Sequence, residues 1–178
     1  DEIRSRGLGD VYKRQAGNHD YWVLDFMKKK LMNHTYFDDT TFSLRGKNFY
    51  ITHGDGVLSW DYGYRILKKI IRSPFFIWCF RLLHPTLAYK IARKVSRTEN
   101  HPELPEGVRN KIRNELKKYA LTHFQKGFDY MVCGHYHLNE IIDVEKGKLA
   151  VLGDWQDDPS YAVFDGKELT LHQWENDA

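Results

Sequence analysis

The sequence predicts an α/β fold, a layered β-sheet domain with flanking helices and a helical insertion. Segments with strand-like apolar runs alternate with segments of helical periodicity, the pattern of a sheet covered by helices. Three motifs lie at the predicted ends of strands, and they read Gly17-Asn18-His19-Asp20, His53-Gly54-Asp55 and Gly134-His135-Tyr136-His137. The helical insertion is predicted at about residues 61–104, between the second and third motifs, and is therefore placed to cap them.

The composition is that of a globular protein with unevenly distributed charge. Hydrophobic residues make up 42% and charged residues 29% of the 178 residues, enough for the core of one domain. The net charge is +3, but residues 61–98 hold nine Lys or Arg against one acidic residue, a balance of +8, so the rest carries −5. Such a segment favours an anionic partner. No apolar run approaches the roughly 20 residues of a membrane-spanning helix.

Residues 1–15 show neither helical nor strand periodicity. A ligand-bearing loop such as the first motif normally follows a buried strand, and residues 11–16 contain too few apolar side chains to predict one. Residues 10–15 also match a translation of the transposon end that is used to tag sequencing libraries. We therefore expect residues 1–15 to be adapter-derived and the native domain to begin near Ala16; the alternative is a genuine polar arm.

The elements that follow are predicted from periodicity and turn residues. A helix is expected over residues 21–34, because its apolar side chains fall on or near one face and lysines make up much of the remainder. Two strands at 41–44 and 48–52 flank Arg45-Gly46-Lys47, which is typical of a hairpin. The insertion contains three predicted helices separated at Pro74 and at His84-Pro85, and their ranges are 61–72, 75–83 and 86–97.

The last part of the chain begins with a polar loop at 98–107. An amphipathic helix is predicted over 108–126, with Gly127 ending it. The apolar strand 129–133 then delivers the two histidines of the third motif. Four further strands are separated by turns at Lys146-Gly147 and Asp165-Gly166, and their ranges are 140–144, 148–152, 161–164 and 168–174.

The three motifs contain the side chains of a metal site. His135 and His137 are two residues apart, and in an extended segment such residues face the same way. His53 follows a strand in the same manner, and Asn18 offers an uncharged carbonyl oxygen. Imidazole nitrogen suits Zn, Mn, Fe and Co, and amide and carboxylate oxygens add harder donors.

Two aspartates complete this pattern. Asp20 and Asp55 could each accept a ring N–H and orient an imidazole. A single histidine near a strand end is more often simply hydrogen-bonded, and we assign the histidines outside the motifs to that class, namely His34, His84, His101, His123 and His172.

These motifs resemble those of the calcineurin-like metallophosphoesterases, over nearly all of residues 16–178. The insertion, with Asp61-Tyr62-Gly63-Tyr64 and Leu83-His84-Pro85, and the closing Val151-Leu152-Gly153-Asp154-Trp155 look like the UDP-2,3-diacylglucosamine diphosphatases of lipid A synthesis. The resemblance implies a metallophosphoesterase-type sheet under a helical cap. It also implies hydrolysis of a pyrophosphate to UMP and 2,3-diacylglucosamine 1-phosphate, with two divalent metal ions, expected to be Mn²⁺, that activate water and clamp a phosphoryl oxygen.

The resemblance also implies a role for individual residues. Asn18, His53 and His135 match the ligands of one metal, and His137 matches a ligand of the other. His19 matches a catalytic residue that contacts the scissile phosphate, with Asp20 beside it. The positions that match substrate contacts are Asp61, Tyr64, Arg93 and Arg97. The family's first Asp-x-His motif and its bridging Gly-Asp motif have no counterpart in this sequence, so we expect weak metal binding and little turnover from the chain as written.

The expected partners follow from the same resemblance. A lipid-linked nucleotide is the substrate, and the basic cap is expected to contact an anionic membrane surface, at the cytoplasmic face of the bacterial inner membrane. An ordinary amphipathic cap with a solvated basic face is the alternative. No nucleic-acid-binding module is readable, so nucleic acid is not expected. Two other functions stay open: another metallophosphoesterase activity, and a non-catalytic binding module on the same fold.

Overall fold

The computed structural model describes residues 12–18, 21–96 and 104–174 of the chain. Its centre is a five-stranded mixed sheet with the strand order β3-β4-β5-β7-β6. These strands are β3 (Thr40–Leu44), β4 (Lys47–Thr52), β5 (Tyr130–Cys133), β6 (Glu140–Val144) and β7 (Gly147–Val151). Two smaller sheets flank it: β1 (Lys13–Gln15) pairs with β2 (His34–Tyr36), and β8 (Ser160–Phe164) pairs with β9 (Leu169–Gln173).

The three inner strands of the large sheet run parallel to one another, β4 beside β5 and β5 beside β7. The outer strands β3 and β6 are antiparallel to their neighbours. Parallel strands end at the same edge of a sheet, so the loops that follow Thr52, Cys133 and Val151 emerge side by side. This edge is where the second and third motifs lie.

The described chain has five α-helices: α1 near the first motif, three in the insertion, and α5 on the sheet. A 3₁₀ turn (Tyr21–Val23) leads into α1 (Leu24–Lys30), and the insertion holds α2 (Tyr62–Ile71), α3 (Pro74–Arg81) and α4 (Pro85–Ser96) before α5 (Glu106–Phe124). Helix α5 lies on the sheet with Leu116 and Ala120 fully buried, in one core cluster with Met131, Leu149 and Val151. None of the described helices has the length and apolar character needed to span a bilayer.

Local signals in the sequence explain how the insertion helices begin. Asp61 caps α2 by accepting a hydrogen bond from the backbone N–H of Tyr64 at 3.2 Å. Ser73 caps α3 in the same way with the N–H of Phe76 at 3.2 Å, and Pro74 occupies the first turn. Proline there lacks only an N–H that would have no intrahelical partner. Pro74 therefore starts a helix as well as separating two.

The strands and helices predicted after residue 40 are confirmed within a few residues of their ends, and the N-terminal region differs. The helix predicted over 21–34 ends at Lys30, because Asn33 turns its side chain to accept the N–H of Tyr12 at 2.9 Å and the chain enters β2. The expectation that no strand lies before the first motif was wrong for the described residues. Lys13–Gln15 forms β1, which pairs in parallel with His34–Tyr36.

Candidate functional site

Loops at one edge of the large sheet form the candidate site. His53 follows β4, the Gly134–His137 loop follows β5, and Asp154 follows β7. Adjacent strands are about 4.8 Å apart, so side chains on neighbouring loops can touch. The first motif joins them because the side-chain amide of Gln15, just before it, donates to the carbonyl of Ile51 on β4 at 3.2 Å.

Three of the predicted metal ligands are in contact. His53 Nε2 lies 3.0 Å from Asn18 Oδ1. The His53 and His135 rings lie edge to face with centroids 5.2 Å apart, and the ring of Tyr64 lies 5.6 Å from that of His135. The amide and the two imidazoles thus face one small volume beside α2.

His135 is held in the form that binds metals. Burial lowers the pKa of His135 to about 4, and the neighbouring His53 contributes to the same shift. The ring is therefore neutral at pH 7, and neutral imidazole is the form that ligates a metal.

The backbone of the third motif is strained. His135, His137 and Asn139 have φ values of 61°, 48° and 51°, in the left-handed region that L-residues other than glycine seldom adopt. Such conformations cost on the order of 1 to 3 kcal/mol each and concentrate at functional sites. The loop is closed by a hydrogen bond from the N–H of Tyr136 to the carbonyl of Gly134.

His137 pairs with a residue that the motifs did not include. Its Nδ1 lies 3.2 Å from Asp154 Oδ2. Asp154 was given no role from the sequence, although it belongs to the closing segment that carries the resemblance. The signal was present, however: Asp154 comes shortly after the apolar strand β7, as His53 comes after β4.

Asp55 makes its contacts with α2. It is buried, and its carboxylate lies 3.1 Å from the hydroxyl of Tyr64, 3.0 Å from Lys68 Nζ and 3.2 Å from an Arg72 Nη atom. Burial by itself raises the pKa of Asp55, but the hydrogen bond and charge of Lys68, followed by the charges of Arg72 and His53, bring it below its ordinary value. The role foreseen for Asp55, orienting an imidazole, stays a prediction.

Lys68 and Arg72 were not singled out from the sequence. They are four residues apart on α2 and therefore share one face of the helix. Arg72 also lies 3.5 Å from the carbonyl of Gly17 and stacks over the ring of Tyr21 at 4.4 Å. It thus joins the first motif, the second motif and the insertion.

The other predicted site residues are only partly described. Asp61 caps α2, and Tyr64 reaches Asp55 and His135 as above. Arg93 is exposed on α4. His19, Asp20 and Arg97 lie outside the described residues, so their predicted roles stay predictions.

Two cavities adjoin the site. The first, of about 210 Å³, is polar and touches His53, Asp55, Lys68 and Arg72. The second, of about 400 Å³, is mainly aromatic, and its walls include Trp22, Ile77 and Trp78. Phe37 and Arg72 belong to both walls, so the polar cavity and the more apolar one are neighbours.

The site suits a divalent metal ion in part. Asn18, His53 and His135 offer uncharged donors of the types that Mn²⁺ and Zn²⁺ accept. Within residues 12–18, 21–96 and 104–174, however, no three His, Cys, Asp or Glu side chains are grouped so that they could hold a metal ion.

The fold and the site together define a metallophosphoesterase-type domain. It is a mixed sheet whose parallel strands are followed by loops that carry an amide and imidazoles, beside a helical segment. A UDP-2,3-diacylglucosamine hydrolase of Porphyromonas gingivalis is 32% identical over 179 residues, a match covering 90% of this chain and 68% of that protein. One of Pseudomonas putida is 30% identical, covering 78% and 59%, and one of Xanthomonas oryzae is 25% identical, covering 89% and 68%. The chain belongs to the UDP-2,3-diacylglucosamine hydrolase family.

The chain spans 59% to 68% of the length of these three relatives, and 50% of a second Pseudomonas putida protein of the same name. No protein-family profile matches it.

Proposed function

We propose that the chain forms part of an enzyme that hydrolyses the pyrophosphate of UDP-2,3-diacylglucosamine to UMP and 2,3-diacylglucosamine 1-phosphate, a step of lipid A synthesis. The names of the relatives support this substrate. The observation that carries the proposal is the contact of Asn18, His53 and His135 beside α2, with His53 also lining the polar cavity.

The proposed ligand roles divide between two positions. Asn18, His53 and His135 hold one divalent ion, and His137, oriented by Asp154, belongs to the other. When bound, two such ions polarise a phosphoryl oxygen and lower the pKa of water. Mn²⁺ is the ion we propose.

The remaining roles concern the substrate. His19 contacts the scissile phosphate and Asp20 lies beside it in sequence. Asp61 and Tyr64 hold the head group from the start of α2, Arg93 contributes positive charge from α4, and Arg97 adds to that charge. Lys68 and Arg72 face the polar cavity and add to its attraction for a diphosphate, reduced by the charge of Asp55.

We further propose that the insertion contacts the anionic cytoplasmic face of the bacterial inner membrane. Large apolar side chains on its helices are exposed, among them Phe75 (75%), Leu82 (68%) and Tyr89 (67%). The same segment carries the +8 charge balance. An exposed apolar and basic surface suits a bilayer with anionic head groups.

The test is an assay of the chain, and of the longest natural reading frame that contains residues 16–178, on UDP-2,3-diacylglucosamine and on an aryl phosphodiester. We expect the reading frame to release UMP with Mn²⁺ and the chain itself to turn over little. His53→Ala should abolish release, whereas His34→Ala, which removes an exposed imidazole from β2, should not. Preference for the aryl diester would favour another phosphoesterase activity, and binding without turnover by the reading frame would favour a binding module.

A further inference from the structure

A second exposed aromatic surface lies away from the insertion, on the β8–β9 hairpin and the loop before it. Trp155, Tyr161 and Trp174 are exposed to 64%, 41% and 52%. The Trp174 ring centroid lies 6.1 Å from that of Trp155 and 6.2 Å from that of Tyr161, and Tyr161 stacks on His172 at 5.5 Å. We call these four residues the aromatic platform.

The platform adjoins the candidate site. Trp155 follows Asp154, which contacts His137 at 3.2 Å. Because β4, β5 and β7 are neighbours in that order, the loops at their ends also succeed one another along the sheet edge. With about 4.8 Å between strands, the first and third loops are separated by about 10 Å. The insertion and His53 therefore lie at one end of this row, His135 and His137 in its middle, and Trp155 of the platform at the other end.

The two aromatic surfaces differ in charge. Residues 61–98 have a balance of +8, whereas residues 149–178 contain one basic residue, Lys167, against seven acidic ones. Three of these acids, Asp154, Asp157 and Asp158, lie within three residues of Trp155. Such a surface repels an anionic bilayer or a nucleic acid. It favours an uncharged aromatic ring whose N–H groups can donate to carboxylates.

We propose that the aromatic platform binds the uracil base of the nucleotide substrate. This inference rests on the proposed function and adds a place for each end of the substrate. A lipid-linked nucleotide carries its acyl chains on one side of the diphosphate and its base on the other. The row from insertion through imidazoles to platform has the same order. Stacking on exposed aromatic rings is the ordinary way in which proteins hold an uncharged base.

Binding of UMP and of ribose 5-phosphate to the chain, measured by calorimetry with Mn²⁺ present, tests the proposal. Both ligands carry the same phosphate and sugar, so a difference reports the base. UMP should bind about tenfold more tightly, the effect expected of one stacked base. Its uracil H5 and H6 NMR signals should move upfield on binding, because an indole face shields a stacked proton.

Variants locate the base. Trp155→Ala and Trp174→Ala should each reduce the preference for UMP severalfold and diminish the upfield shift. Trp60→Ala is the matched control, because it removes an indole exposed to 48% from the loop at the opposite end of the row. Circular dichroism spectra and melting temperatures close to those of the parent chain would show that the variants fold.

Several results would overturn the inference: equal binding of the two ligands, no measurable binding of UMP, or a loss with Trp60→Ala as large as with Trp155→Ala. A dimer that dissociates on Trp155→Ala in sedimentation would assign the platform to a second copy of the chain and overturn it too. Failure of the natural reading frame to hydrolyse the lipid-linked nucleotide, with the UMP preference intact, would count against the proposed function alone.

Discussion

At the scale of single residues, the site depends on backbone conformations that few side chains permit. Gly54 has φ +93°, and His135 and His137 lie in the left-handed region. Glycine reaches such angles at no steric cost, whereas a residue with a Cβ does not. The histidines are kept there by surrounding contacts, among them the edge-to-face packing of Tyr136 on His135 at 4.8 Å.

Gly54→Ala and Gly63→Ala form a matched test of this cost. A Cβ at Gly54 would meet Cys133 at 3.5 Å and Tyr136 at 3.6 Å, which are ordinary contacts. The free-energy cost of alanine there therefore comes from the positive φ of the backbone. We expect Gly54→Ala to lower the free energy of unfolding by about 1 to 2 kcal/mol. Gly63 lies in α2, and a Cβ added there would have nothing within 4 Å. Alanine at this position should raise the free energy of unfolding by about 0.5 to 1 kcal/mol. Urea denaturation measures both, and effects of equal sign would contradict the explanation.

His123 gives a pH dependence that is independent of the candidate site. It is buried on α5, stacks on Tyr50 at 3.7 Å, and its Nδ1 has no hydrogen-bond partner. Burial lowers the pKa of His123 below 6.5, the charge of Lys126 lowers it further, and Asp39 opposes the shift. Below pH 6.5 the unfolded chain therefore binds a proton that the folded chain rejects. Stability should fall as the pH is lowered from about 6.5, by at most about 1.4 kcal/mol per pH unit.

The measurement is urea denaturation of the parent chain, His123→Phe and His34→Gln between pH 7 and pH 5. Phenylalanine keeps the ring packing and cannot take up a proton, so its stability should depend less on pH. His34 is exposed on β2, so its variant should follow the parent chain. Identical pH profiles for the parent chain and His123→Phe would disprove the assignment.

At the scale of elements, Asp55 couples the ligand loops to the insertion. Its side chain is only 4% exposed; its partners Tyr64 and Lys68 belong to α2, and Arg72 is the residue that caps the end of that helix. Arg72 continues the connection to the carbonyl of Gly17. Movement of α2 would therefore disturb both loops that supply Asn18 and His53.

Asp55→Asn should be strongly destabilising, because it leaves Lys68 and Arg72 without their buried counter-charge. A loss of about 3 kcal/mol in the free energy of unfolding is expected. Hydrogen exchange of the α2 amides should accelerate more than that of the α5 amides. Asp143→Asn is the control, since Asp143 is 81% exposed and lies 4.0 Å from Lys148. If Asp55→Asn is no more harmful than the control, the coupling does not exist.

The elements also show what sequence reasoning could and could not reach. The β3–β4 hairpin was predictable because Arg45 and Gly46, both with positive φ, mark its turn between two alternating runs. The pair β1–β2 was not, because each strand has three residues, and its parallel pairing depends on contacts across 21 residues. For the same reason the motifs identified His53 and His135, while the partners Asp154 and Arg72 emerged only when strands and helices were assembled.

At the scale of the whole molecule, charge is separated into two regions. Residues 61–98 of the insertion have a balance of +8, and the last 30 residues have six more acidic than basic residues. The basic region also exposes apolar side chains such as Phe75 and Leu82. Near an anionic bilayer the molecule should therefore turn its insertion toward the lipid and its C-terminal hairpin away from it.

Vesicle binding tests this orientation. The chain should sediment with vesicles that contain phosphatidylglycerol and not with vesicles of phosphatidylcholine alone, and added salt should weaken the binding, because it screens surface charge. Lys90→Glu with Lys94→Glu, both exposed on α4, should reduce binding at least about tenfold, given roughly 1 kcal/mol per basic residue at the surface. Lys111→Glu with Lys146→Glu makes the same change in net charge at exposed positions outside the insertion. This pair should reduce vesicle binding far less. Equal losses from the two pairs would mean that net charge rather than the insertion attracts the chain to the bilayer.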